Sequence, residues 1–171
     1  ASAQWVNSAG NSRNKHYLGM FNDLDGNLRH EFLAGQNHNT INLVAGSNVT
    51  LILNWDDYPR SKIDYNLYLY NGDPLNGGLL VDSSTNRQSG FGSTPMEVIS
   101  YTPTVSGTYY IVVSKTSSST VNKRLTLFSN GPDLITKTVA SSLPTPADCA
   151  SVLTVGATDL SDVPEYFSSE G

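Results

Sequence analysis

The sequence contains a single cysteine, Cys149, among its 171 residues. It therefore cannot form an internal disulfide, and a cysteine-based zinc site is excluded. Charged residues are also scarce, at 15% of the chain, and they leave a formal net charge of −5. This acidic balance argues against nucleic acid as a partner, because phosphate binding needs a basic face. No apolar run approaches the ~18 residues of a membrane-spanning helix.

The sequence also has no signal-like segment and no initiator methionine, so we expect Ala1 to be a cut or processed start. Only three histidines are present. His16, His30 and His38 lie close together in sequence, but none has metal-ligand spacing to a second strong ligand. We therefore expect all three to be solvated.

The middle of the chain shows a strong alternation of apolar and polar residues with a period of two. Val49, Leu51, Leu53 and Trp55 form the longest such series. The stretches 65–70, 109–114 and 125–127 repeat the pattern, and 31–33, 40–44, 79–82 and 97–101 are weaker strand candidates separated by Gly-, Asn- and Pro-containing turns. The pattern predicts an all-β fold, an antiparallel β-sandwich or jelly roll of about eight strands with Trp55 in its core.

The two ends of the chain have a different character. Val152-Leu153-Thr154-Val155 is a short, nearly continuous apolar run, which suits a strand covered on both faces, as in a parallel sheet. Trp5 and Val6 are compatible with the same environment. We therefore expect residues 5–8 and 153–155 to lie close together in a second sheet. The sandwich would then be an insertion between two neighbouring strands of another domain.

Three motifs at these ends resemble the subtilisin-like serine proteases (subtilases). WVNSAGNS, residues 5–12, resembles the strand and turn of that family that end in Ala-Gly-Asn. PADCASVLTVGATD, residues 146–159, resembles a later, proline-led segment that enters a Val-Gly-Ala strand. EYFSSEG, residues 165–171, resembles the Phe-Ser-Ser-x-Gly turn that precedes the nucleophilic serine. The three motifs occur in the order of the family.

The resemblance implies that Asn11 is an oxyanion-hole residue of a serine endopeptidase acting on protein or peptide substrates. The alternative is that Gly10-Asn11 is an ordinary turn pair. In the family, the catalytic Asp and His precede this strand and the serine follows the Phe-Ser-Ser-x-Gly turn. Ser168 and Ser169 would therefore be turn residues, and this chain alone would be inactive.

The middle region resembles the prepeptidase C-terminal β-sandwich that many secreted bacterial proteases carry, through DYNLYLYNGD, VDSS, RQSGFGSTPMEVISY and SGTYYIVVSK. The implied division is a catalytic-core flank at 1–19, an inserted sandwich at 20–132, and a linker with a second flank at 133–171. In a secreted or cell-surface enzyme the insert would stabilise the cleft or gate it. In this chain by itself the flanking strands would expose bare edges, and we expect them to be disordered, loosely packed, or paired with another copy as a homodimer. The alternative is a stand-alone sandwich that binds carbohydrate or an extracellular protein.

No cofactor is required by this resemblance, but the sequence offers a weak calcium site. Carboxylate and amide oxygens suit Ca²⁺, although the position of Gly26 does not match an EF-hand loop. Aspartates in turns more often cap the local backbone than bind metal. The candidate ligands are Asp23, Asp25, Asp56, Asp57 and Asp64.

Overall fold

A computed structural model describes residues 4–116 and 120–171, which form strands and connecting loops. Within these residues there is no helix, and so none that could cross a membrane. The ten strands are β1 (Trp5–Ser8), β2 (His16–Met20), β3 (Asn39–Leu43), β4 (Val49–Trp55), β5 (Tyr65–Tyr70), β6 (Leu80–Ser84), β7 (Met96–Tyr101), β8 (Gly107–Lys115), β9 (Arg124–Asn130) and β10 (Val152–Val155).

Eight of these strands build the sandwich. One antiparallel sheet has the order β2-β9-β4-β7 and the other has the order β3-β8-β5-β6. Inward-facing side chains of both sheets form one core, in which Leu53 of β4 and Leu67 of β5 are fully buried and Trp55 is almost so. The all-β sandwich prediction is therefore confirmed. The jelly-roll form of it stays a prediction.

Not every strand prediction holds. The weaker candidates at 40–44, 79–82 and 97–101 correspond to β3, β6 and β7. Residues 31–33 are not a strand, which makes that prediction wrong; Glu31 instead accepts backbone N–H bonds from Leu24 and Gly35, both at 3.1 Å. Strand β2 was not predicted. It pairs with β9, so the sandwich sheet begins at His16, inside the segment assigned to the first flank.

The expectation that the histidines are solvated is wrong for His16 and His30, which are buried, whereas His38 is half-buried. The His16 Nδ1–H donates to the Thr138 carbonyl oxygen at 2.8 Å, and its ring lies 4.6 Å from that of Phe128. Because a buried imidazolium would lose its hydration, burial lowers the pKa of His16, and the ring serves as a neutral core group.

The predicted linker after residue 132 packs firmly on the sandwich. Leu134 is 1% exposed and forms a β-bridge with Ile41 of β3. The Asn39 amide makes two bonds to the Thr136 backbone, donating to its oxygen at 2.6 Å and accepting from its nitrogen at 2.9 Å. The Thr138 N–H donates to the His16 oxygen at 2.8 Å. The chain therefore leaves the sandwich along a fixed path.

The two ends of the chain meet in a separate sheet. Strands β1 and β10 pair in parallel, with Trp5 opposite Val152 and Ser8 opposite Val155. The prediction that these ends are adjacent is confirmed. Within the described residues this sheet has only two strands, and Trp5 is 63% exposed.

Candidate functional site

The turn that follows β1 has a backbone that only glycine fits well. The Ala9 N–H continues the parallel ladder by donating to the Val155 oxygen at 2.8 Å. Gly10 then adopts a φ of +82°, and a Cβ at this position would lie 3.2 Å from Pro144 Cγ. A side chain here would be strained by both the dihedral and the contact. Asn11 follows with an exposed side chain.

The C-terminal serine motif is bonded to this turn. The Ser169 N–H donates to the Gly10 oxygen at 3.0 Å, and the Ser12 N–H donates to Ser169 Oγ at 2.8 Å. Ser168 Oγ accepts a 3.0 Å bond from the Ala157 N–H. Both serines are buried and their hydroxyls bind the backbone, which is the behaviour of turn residues. The structure thus brings the Ala-Gly-Asn and Ser-Ser motifs together.

A pocket of about 410 Å³ lies beside this turn, between the first flank, the residues after β9 and the C-terminal turn. The Asn14 amide donates to the Tyr166 oxygen at 3.0 Å, and Arg13 and Glu170 form an ion pair at 2.9 Å that links the two flanks. Sequence reasoning missed these contacts, and nothing in the local sequence signals them. The pocket is lined by Asn11, Asn14, Lys15, Gly131, Asp133, Tyr166 and Phe167.

The side-chain amide of Asn11 has no hydrogen-bond partner within residues 4–116 and 120–171. It is exposed at the pocket rim and free to donate to a group that enters. An amide can donate two hydrogen bonds without changing its protonation state. The arrangement can therefore polarise a carbonyl or stabilise an oxyanion, but Asn11 cannot act as a general acid or base.

The calcium candidates do not converge on one place in the described parts of the chain, where no group of three or more His, Cys, Asp or Glu could hold a metal. Their carboxylates accept hydrogen bonds from nearby protein groups, as turn-capping aspartates do, and Asp57 also forms an ion pair. Calcium binding stays a prediction. The partners are the Asn27 and Leu28 N–H groups for Asp23, the Asn27 and Asn37 amides for Asp25, the Arg124 N–H for Asp56, Lys123 for Asp57, and the Gln88 N–H for Asp64.

No known protein-family profile matches this sequence, and no curated protein matches it significantly. Among solved structures, the fold is similar to the CspB protease of Clostridium perfringens, with a TM-score of 0.58, 17% identity, and coverage of 95% of this chain and 36% of that one. The pre-peptidase C-terminal domain of collagenase from Bacillus anthracis has a TM-score of 0.41 and 14% identity over 75% of this chain and 98% of that domain. The copper-binding surface protein CorA of Methylomicrobium album BG8 has a TM-score of 0.42 and 12% identity over 74% of this chain and 98% of that one. At 17% identity the likeness to the CspB protease is one of fold alone, and the chain spans only about a third of the length of that protein.

Proposed function

We propose that this chain is part of a secreted serine endopeptidase of the subtilisin-like type, with Asn11 as an oxyanion-hole donor. The observation that carries the proposal is the parallel pairing of β1 with β10, with Gly10-Asn11 at the carboxyl end of β1. Short parallel strands belong to sheets that are covered on both faces. Ligands of such sheets bind beyond the carboxyl ends of the strands, which is where Asn11 lies.

In this proposal Asn11 acts on charge that develops during acyl transfer. When a serine attacks the scissile carbonyl, the carbonyl oxygen becomes negative in the tetrahedral intermediate, and the Asn11 Nδ2–H would donate to it. The nucleophile, base and orienting acid would come from other parts of the polypeptide. The bond from the Ser169 N–H to the Gly10 oxygen supports the role, because it fixes the backbone from which the Asn11 side chain extends.

The sandwich would be an insert that stabilises the enzyme or gates its cleft. Strand β2 enters the sandwich shortly after Asn11, and the segment around Leu134 returns along the sandwich to the second flank. Both connections are held by backbone bonds, including that of the Thr138 N–H to the His16 oxygen. An insert anchored at both connections would transmit its own stability to the catalytic core.

The test is peptide hydrolysis by the parent polypeptide with and without Asn11→Ala. We expect kcat to fall by about 10²–10³ with little change in KM, the magnitude known for the equivalent asparagine of subtilisin. Asn42→Ala, an exposed amide on edge strand β3, is the matched control and should leave kcat unchanged. The proposal is overturned if Asn11→Ala leaves kcat intact, or if the parent polypeptide carries no Asp, His and Ser triad.

A stand-alone binding module is the second candidate. It is favoured by the completeness of the sandwich, whose eight strands enclose one core without help from β1 or β10. In this case the 171-residue chain should be retained on an immobilised carbohydrate or extracellular-matrix protein. Absence of retention, together with a triad in the parent polypeptide, would reject the module in favour of the protease.

A further inference from the structure

An open groove of about 440 Å³ lies at the opposite end of β9 from the Asn11 pocket. It is formed by the loop after β4, the loop between β6 and β7, and the residues that lead into β9. Ile63 is buried at its floor, and Phe91 at its wall is 87% exposed. Three cationic side chains, Arg60, Lys62 and Lys123, line it.

Two of these cations are available to a ligand. Lys123 is neutralised by Asp57, whose carboxylate lies 2.7 Å from its Nζ. Arg60 and Lys62 form no ion pair with any carboxylate in the described residues. The groove is therefore locally positive on a chain whose formal net charge is −5. A negatively charged ligand would be attracted to this place and repelled from most of the surface.

The two cations are also positioned. The Arg60 guanidinium carbon lies 4.9 Å from the centroid of the Phe91 ring, a cation–π arrangement that orients its donors. The Lys62 stem lies against Gly90, which has a φ of +108°, and a Cβ there would meet Lys62 Cε at 3.2 Å and Cγ at 3.3 Å. The absence of a side chain at Gly90 thus leaves room for the lysine stem. Less side-chain entropy is lost on binding when donors are already held in place.

We propose that this groove binds an acidic peptide segment in which carboxylates alternate with apolar side chains. Arg60 would bind one carboxylate in a bidentate manner, and Lys62 would bind a second as a point charge. An apolar side chain would pack on the exposed Phe91 ring, since removing apolar surface from water favours association. A sulfated polysaccharide fits less well, because the groove has an apolar wall and only two unpaired cations. The inference does not depend on the protease proposal.

The test is fluorescence anisotropy of the 171-residue chain with a labelled peptide of alternating glutamate and leucine. We expect binding that weakens as salt rises. Arg60→Gln combined with Lys62→Gln should weaken it about tenfold and flatten the salt dependence. Phe91→Ala should weaken it about fivefold, because it removes an apolar contact surface and the ring that orients Arg60. Most of the salt dependence should remain, since both cations are still present. Arg60, Lys62 and Phe91 are all exposed, so their substitution should not disturb the core. Thermal unfolding will verify that each variant is folded.

The matched control is Arg29→Gln combined with Lys137→Gln. It also removes one arginine and one lysine charge, but at positions outside the groove. This control should bind the acidic peptide like the unmodified chain. Equal weakening by the control, equal binding of a peptide with glutamine in place of glutamate, or no binding at all would overturn the proposal. Stronger binding of a heparin oligosaccharide than of the acidic peptide, abolished by the groove variants, would also overturn it.

Discussion

His30 is a residue whose ionisation is strongly altered by its burial in this fold. It is almost fully buried, between Phe21 and Phe32, with ring centroids 5.7 and 4.7 Å away. The Asn22 N–H donates to its Nδ1 at 3.1 Å, so Nε2 carries the proton and donates to the Tyr17 hydroxyl at 2.8 Å. The neutral ring has both nitrogens paired. Burial lowers the pKa of His30 from 6.5 to about 4.

This pKa predicts a loss of stability in mild acid. Above pH 6.5 the ring is neutral in both states, and below it the unfolded chain takes up the proton first. The free energy of unfolding should therefore fall as pH drops from about 6.5 to about 4, by about 3 kcal/mol from this residue. Urea unfolding across this range will measure it. His30→Gln should flatten the dependence, whereas His38→Gln, at a half-buried position, should flatten it less. An unchanged slope in His30→Gln would contradict the assignment.

At the scale of elements, the sequence predicts a strand well where the strand is central and alternates fully. Strand β4 lies between β9 and β7, and each of its odd-numbered residues from Val49 to Trp55 is buried. The sequence does not indicate strand β2, because the strand is short, lies at the edge of its sheet and buries two consecutive residues, His16 and Tyr17, instead of alternating. Residues 31–33 mislead in the opposite direction, since only Phe32 contributes to the core and Glu31 caps a loop.

The candidate site was predictable only in part, for a similar reason. Asn11 could be selected as a candidate because its motif is local, and its oxyanion role stays a prediction. The bond between the Ser12 N–H and Ser169 Oγ joins residues 157 positions apart, and no local pattern specifies such a pairing. The pocket beside Asn11 likewise depends on how Tyr166 is positioned against Asn14, which is a property of the folded chain.

The segment after β9 offers a clear test of how firmly the sandwich is connected to the second flank. Leu134→Ala should lower the free energy of unfolding by about 2–5 kcal/mol, because Leu134 is 1% exposed and its truncation leaves a cavity in the core. Ile135→Ala is the matched control, since Ile135 is 59% exposed and should change stability by less than about 0.5 kcal/mol. Chemical unfolding of both variants gives the comparison. Equal effects would mean that the segment is not part of the core.

For the molecule as a whole, the sandwich buries its apolar side chains, whereas the β1–β10 pair leaves its apolar side chains exposed. The sandwich covers its apolar residues on the inner faces of two sheets. The pair exposes Trp5, Val6, Leu153 and Val155, and within residues 4–116 and 120–171 no third strand covers its edges. Unpaired strand edges and contiguous apolar surface favour association with another chain or segment.

We therefore expect the isolated chain to self-associate through this pair, as in the homodimer predicted from the sequence. Trp5→Ser combined with Leu153→Ser should lower the sedimentation coefficient to that of a monomer at concentrations where the unmodified chain associates. The control is Phe91→Ser, which removes another exposed apolar side chain, from the Arg60–Lys62 groove and not from the β1–β10 pair. Association that persists in the double variant and disappears in the control would show that the groove, and not the β1–β10 pair, is the self-contact. In the parent polypeptide, further strands of the proposed catalytic sheet would cover the pair, so that protein should sediment as a monomer without any substitution.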